Sequence, residues 1–158
     1  MEKFLENLVE AEKELRTLDH MVYITFPLIK DKRILLKVIQ EVKEVITKCI
    51  TAVLQYEYMY KRINLYKDSK ANLRTFMEKC TPRYGITKAE TMVIGELFDI
   101  VDRHKESPME FMKGEKVVIL SENSSMATLS LDKVKEFLIL AKEMLRKVRE
   151  KIGENFTS

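Results

Sequence analysis

The sequence has no tryptophan and is sparing with the residues that build sites and turns: 2 His, 2 Cys, 3 Pro and 4 Gly among 158 residues. So little Gly and Pro leaves few breaks, which argues for a small number of long elements, and therefore helices. Cysteine and histidine metal sites need paired ligands at short spacing, and Cys49 and Cys80 each stand alone, so neither a metal nor a cofactor is expected. Cys49 falls on an apolar helical stripe and reads as a buried free thiol rather than half of a disulfide. A carboxylate metal site of the helical-bundle type needs Glu three residues before His, but those positions hold Thr17 and Val101. There is no glycine-rich loop to cradle phosphate and no serine in a nucleophile elbow. The longest uncharged run, Met21 to Ile29, is too short to span a bilayer. The opening "MEKFLENLVEAEKELR" is amphipathic and acidic, unlike a signal or transit peptide. A cytoplasmic protein with no membrane partner is expected, which makes the sequons at Asn123 and Asn155 coincidental.

What is present is apolar residue and balanced charge. Hydrophobic residues make up 46% and charged residues 34%, with 28 basic against 25 acidic. The length suits one domain, 1–158, able to bury a core without staples. Lys and Glu dominate the charge, a thermophile-like bias.

Apolar spacing outlines four main helices. Phe4, Leu8, Ala11, Leu15, Leu18 and Val22 form one stripe, which Pro27 is expected to end by pushing Phe26 out of the helical region. Asp31 is the expected N-cap of a second helix whose stripe runs from Leu35 through Val53, Tyr56 and Tyr60 to Ile63, about 33 residues or about 50 Å. Its β-branched residues are poor helix formers, so packing on a wide apolar face must hold it. A shorter helix is expected from Ser69 to Cys80. The next opens with the capping box Thr87-Lys-Ala-Glu90. Ser107-Pro-Met-Glu110 resembles a second box and predicts a short turn stopped by Gly114. "KVVIL" (116–120) and "MATLS" (126–130) predict a small hairpin whose first strand has little edge protection and could pair with another subunit. A last helix is expected from Leu131 to Ile152, between Ser130 and Gly153. The fold class is all-α: an antiparallel bundle of four main helices with a short extra turn and a small β-hairpin before the last helix.

Two groups of side chains merit weighing. Arg16 and His20 are four apart and share a helix face, beside Asp19. An Arg with a His could bind an RNA phosphate and move its proton; the plainer reading is a histidine near a helix end, suited to the dipole. Arg103 and His104 likewise read as ordinary C-terminal cations. The second group is basic: Lys61, Arg62, Lys67, Lys70, Arg74, Lys79 and Arg83 face only Asp68 and Glu78, seven against two, a net of +5. Tyr56, Tyr58, Tyr60, Tyr66, Phe76 and Tyr84 are interleaved. Cations neutralise phosphate and aromatic faces stack on bases, which suits RNA or DNA. The plainer reading puts Tyr56, Tyr60 and Phe76 in the core and the lysines in solvent; the acidic first helix could pack against this segment, within the chain or between subunits.

"LDHMVYITFPLIKDKRILLKVI" and "HKESPMEFMKGEKVVIL…TLSLDKVKEFLILAKEML" resemble a group of small archaeal all-helical proteins of unassigned function. The resemblance covers the first and last thirds of the chain and implies an archaeal cytosolic protein without implying an activity. A more distant resemblance is to HEPN-type helical bundles, whose ribonuclease members carry Arg followed by His after four to six residues. Arg16 and His20 have three between them and lie on the first helix rather than late in the chain. The sequence therefore favours a non-catalytic binding or oligomerisation module, a homodimer with a protein or nucleic-acid partner. Lys61, Arg62, Lys67, Lys70 and Arg74 are its candidate nucleic-acid contacts. The alternative is a HEPN-like, metal-independent ribonuclease using Arg16 and His20.

Overall fold

The computed structural model describes residues 3–123 and 125–153; the sequon at Asn155 lies outside them. Six α-helices and three strands follow in the order α1 (Lys3–His20), α2 (Phe26–Ile29), α3 (Lys32–Met59), α4 (Ser69–Thr75), α5 (Lys88–Glu106), β1 (Met109–Lys113), β2 (Lys116–Leu120), β3 (Met126–Leu129) and α6 (Leu131–Gly153).

The amphipathic stripes meet as expected. Leu8, Leu15 and Leu18 of α1 and Val134, Leu138 and Val148 of α6 are buried with Val38, Ile46 and Val53 of α3. Both α1 and α6 pack directly on α3, which is thereby the spine of the bundle. This burial is what holds a helix so rich in Val and Ile: each enclosed aliphatic side chain contributes roughly 1.5–3 kcal/mol, more than its propensity costs. Ions stitch the outside. Lys48 of α3 pairs with Glu10 and Glu14, while Asp19 and Glu12 of α1 pair with Lys142 and Arg149 of α6. Within the chain, the acidic first helix thus pairs with α3 and α6, and no ion pair among the described residues joins it to the basic 61–83 segment.

Pro27 does not break the first helix. A π-helical turn, Met21–Thr25, joins α1 to α2, and Phe26 stays helical at φ −61° and ψ −45° with its N–H donating to Met21 O. The wider turn accommodates a ring that has no N–H to offer the next turn. The reversal comes three residues later, where Lys30 takes φ 55° and Asp31 caps α3 by accepting from Arg33 N at 2.9 Å. The capping box of α5 forms as expected, with Glu90 N donating to Thr87 Oγ1 and Thr87 N to Glu90 Oε1. Ser130 caps α6 by accepting from Lys133 N.

The region before α6 differs from the sequence expectation. Met109–Lys113 is a strand, not a helical turn, and the sheet has three antiparallel strands in the order β1-β2-β3. Ser107 opens no helix but closes α5 as its C-cap; its hydroxyl donates to Leu120 O at 2.6 Å and so fastens β1 to the far end of β2. Gly114, at φ 65°, makes the tight turn that lets Lys113 face Lys116. "KVVIL" is consequently the central strand, paired on both sides, and offers no free edge. At the β1 edge Lys32 donates to Glu110 O at 2.8 Å. Val117, Ile119 and Leu129 point into the core, while Met109, Phe111 and Met126 are exposed.

Candidate nucleic-acid interface

The basic segment begins where α3 ends. Its last turn carries Gln55, Tyr56, Glu57 and Tyr58, and the chain then reverses through Lys61 at φ 60°. Lys61 N donates to Tyr58 O at 2.9 Å and Arg62 N to Glu57 O at 3.0 Å, satisfying carbonyls that the helix end would leave open. Because the helix stops at Met59, Tyr60 leaves the core stripe that it would continue if the helix ran on to Ile63. Tyr56 is buried, whereas Tyr58 is 54%, Tyr60 45% and Tyr66 51% exposed. Beyond the turn, the Asn72 amide holds the backbone of Tyr66 from both sides, at 2.8 Å each. Asp68 caps α4 by accepting from Lys70 N. Its carboxylate therefore serves the helix end.

Glu57 organises the landward side of this surface. It is only 2% exposed; it accepts from Arg62 Nη1 at 2.6 Å and forms an ion pair with Arg83 Nε at 2.9 Å. Arg83 is brought there by a second π-helical turn, Phe76–Cys80, whose Phe76 and Cys80 are buried, and by the reversal at Gly85, φ 68°. The Arg62 guanidinium also lies 4.9 Å above the Tyr60 ring, a cation–π contact that fixes the ring on the surface. Burial first, and the Glu57 charge second, raise the Tyr84 phenol well above its ordinary range and push the Cys80 thiol up to about 11. Burial alone pushes Cys49 up to about 12.

Of the five candidate contacts, Arg62 alone has a carboxylate partner among the described residues; Lys61, Lys67, Lys70 and Arg74 are exposed and have none. Elsewhere Arg33, Arg103, Lys133, Arg146 and Lys147 are each tied to an acid, while Lys13, Lys37, Lys88, Lys113 and Lys116, like the candidate contacts, have no carboxylate partner among the described residues. A run of unopposed cations beside three exposed tyrosines can neutralise phosphates and stack on bases.

Arg16 and His20 are placed differently. Arg16 lies 3.4 Å from Glu12 and lines a groove of about 440 Å³ between α1 and α6, with Asp19, Lys142 and Arg146. His20 is exposed, and its Nδ1 is 3.4 Å from Thr25 Oγ1. His104 is half-buried, 2.6 Å from Glu110, and ties the end of α5 to β1. No group of three or more His, Cys, Asp or Glu among the described residues is arranged to hold a metal ion. No described helix is long and apolar enough to cross a membrane.

One residue was missed by sequence reasoning: Glu57 follows Ile50 and Val53 in the register of the buried stripe, and a charge at such a position is the signal that it must be paired inside. No family model, no curated protein and no solved structure matches this chain. What it does must be argued from these residues.

Proposed function

We propose that the protein is a non-catalytic binding module for single-stranded nucleic acid, using the surface from Tyr58 to Arg83. The observation that carries this reading is the juxtaposition of three exposed tyrosines with five cations, Lys61, Lys67, Lys70, Arg74 and Lys79, that have no carboxylate partner among the described residues. Base stacking on aromatic rings tolerates any sequence, and unpaired Lys and Arg replace counterions along the strand. The modest overall charge of +3 is compatible with this role because the charge is concentrated. The test is retention of labelled single-stranded RNA at low salt by the unaltered protein, and its loss when Lys67, Lys70 and Arg74 are all changed to Glu. An unaltered protein that retains no strand refutes the reading.

The module acts as a homodimer in this proposal. The exposed outer face of the sheet, with Met109, Phe111 and Met126, supports a surface for the second copy. Light scattering at micromolar protein should give about twice the chain mass of 18.6 kDa, and Phe111→Glu with Met126→Glu should halve it. A mass of one chain for the unaltered protein refutes the dimer.

A further inference from the structure

The longest uncharged run of the chain, Met21 to Ile29, is only partly used by the core. Val22 and Phe26 are buried, but Tyr23 and Ile24 are exposed, Ile29 is 63% exposed and Leu28 is 81% exposed, more than any other large hydrophobic residue among those described. The patch extends onto α6. Lys135 and Lys142 both reach over the Tyr23 ring, at 5.2 and 5.9 Å, and the exposed Ile139 lies between them on the same helix face. The backbone keeps these side chains outward. The π-helical turn and α2 carry the helix past the end of the α1 stripe, and the reversal at Lys30, φ 55°, leaves Leu28 and Ile29 at the tip of a helical corner. A contiguous exposed apolar patch of this kind marks a contact surface.

The charge around the corner says what it meets. Residues 20–37 carry Lys30, Lys32, Arg33 and Lys37 against Asp31 alone, four minus one, a net of +3, as large as that of the whole chain. Lys30, Arg33 and Lys37 are exposed, while Asp31 and Asp19 are engaged by Arg33 and Lys142. A second copy of the same corner would bring like charges face to face, so charge argues against self-association here. An anionic bilayer offers the complement, with headgroup phosphates for the lysines and hydrocarbon directly beneath for the leucine and isoleucines. Tyr23 suits the level between them. We propose that this corner is a membrane-surface anchor: Ile24, Leu28 and Ile29 enter one leaflet of an anionic bilayer, and Lys30, Lys37 and Lys135 meet its headgroups. The sequence expectation of no membrane partner rests on the lack of a span, and an interfacial anchor needs none.

The experiment sediments the full chain with vesicles of phosphatidylcholine alone, and of phosphatidylcholine mixed with phosphatidylglycerol, at low salt. The anionic vesicles should carry the protein down and the neutral ones should not. Leu28→Glu with Ile29→Glu should weaken that binding about tenfold or more. The melting temperature should not fall, since both side chains are exposed in the free protein. Lys30→Asn with Lys37→Gln should weaken binding about twenty-fivefold, at about fivefold per cation; asparagine tolerates the left-handed backbone at position 30. The chain has no tryptophan, so Leu28→Trp supplies a single reporter. Its emission should shift to the blue on anionic vesicles and be quenched by bromine on the lipid chains. The rival route is adsorption through the basic 61–83 surface. Changing Lys67, Lys70 and Arg74 to Gln should therefore cost less than changing the two corner lysines. No sedimentation with anionic vesicles, the reverse order of these costs, or a Leu28→Trp emission unchanged by lipid overturns the anchor. So does a Leu28→Glu, Ile29→Glu variant that sediments like the parent but halves the light-scattering mass, which assigns the corner to a second copy. The nucleic-acid reading rests on another surface and is tested apart.

Discussion

Arg83 Nε sits 2.9 Å from Glu57 Oε1, joining the turn after the second π-helical segment to the last turn of α3. With Arg62 on the other oxygen, a carboxylate that is almost wholly buried is matched by two cations that each keep part of their guanidinium in water. The pair fixes both ends of the exposed 61–83 surface to the helix core.

Removing both arginines should therefore hurt more than removing the acid. Arg62→Ala with Arg83→Ala leaves a buried charge unpaired and should cost about 3–5 kcal/mol in chemical denaturation. Glu57→Gln should cost clearly less, because the two guanidiniums can turn to solvent. The reverse order would show that Glu57 is not held as a buried ion.

The two thiols should be silent in the folded protein. Cys49 and Cys80 are buried, with thiols pushed up to about 12 and about 11, so the thiolate is scarce at about pH 8. A disulfide reagent such as DTNB should release no chromophore from the native chain and two equivalents once it is unfolded. Rapid reaction of either thiol in the native state would contradict its enclosure.

Acid should weaken the fold through two helix starts. Hydrogen bonds from the Arg33 side chain and backbone lower the Asp31 carboxyl from 3.8 to about 2. Burial pushes Glu90 up, but the Lys147 hydrogen bond and the Thr87 backbone bond outweigh it and hold Glu90 below its ordinary value. A carboxyl depressed on folding stabilises above its unfolded pKa, and that contribution is lost as pH falls through the folded value. Melting temperature should therefore drop between about pH 5 and about pH 2. Asp31→Asn with Glu90→Gln should start lower and fall less over the same window. Parallel curves for parent and variant would contradict this assignment.

RNA incubated with the protein and a chelator should keep its length. Arg16 is paired with Glu12, and His20 bonds to Thr25 rather than to Arg16. Cleavage that disappears in His20→Ala would instead favour the HEPN-like ribonuclease.

Local chemistry was legible in the sequence, and tertiary consequences were not. The Asp31 cap, the Thr87–Glu90 box and the stripes of α1, α3 and α6 follow from spacing within single elements. Pro27 misled because the rule against it assumes α-helical bonding, and a π turn changes the partner. Ser107-Pro-Met-Glu110 carries the letters of a capping box, yet Gly114 and the alternating exposure of 109–113 make it a strand once β2 is beside it. The apolar period predicts Tyr60 in the core, but that period holds only while the helix continues. The basic segment itself was visible; the exposure of its tyrosines and the role of Glu57 depend on where α3 stops.

The most direct test of the account is the salt dependence of single-stranded RNA affinity. Five unopposed cations predict that log K falls linearly with log salt with a slope of about −3.5, at about −0.7 per phosphate neutralised. The triple charge reversal of Lys67, Lys70 and Arg74 should flatten that slope to about −1.4 or less. Absence of binding at low salt, or a slope that the triple variant leaves unchanged, would contradict it.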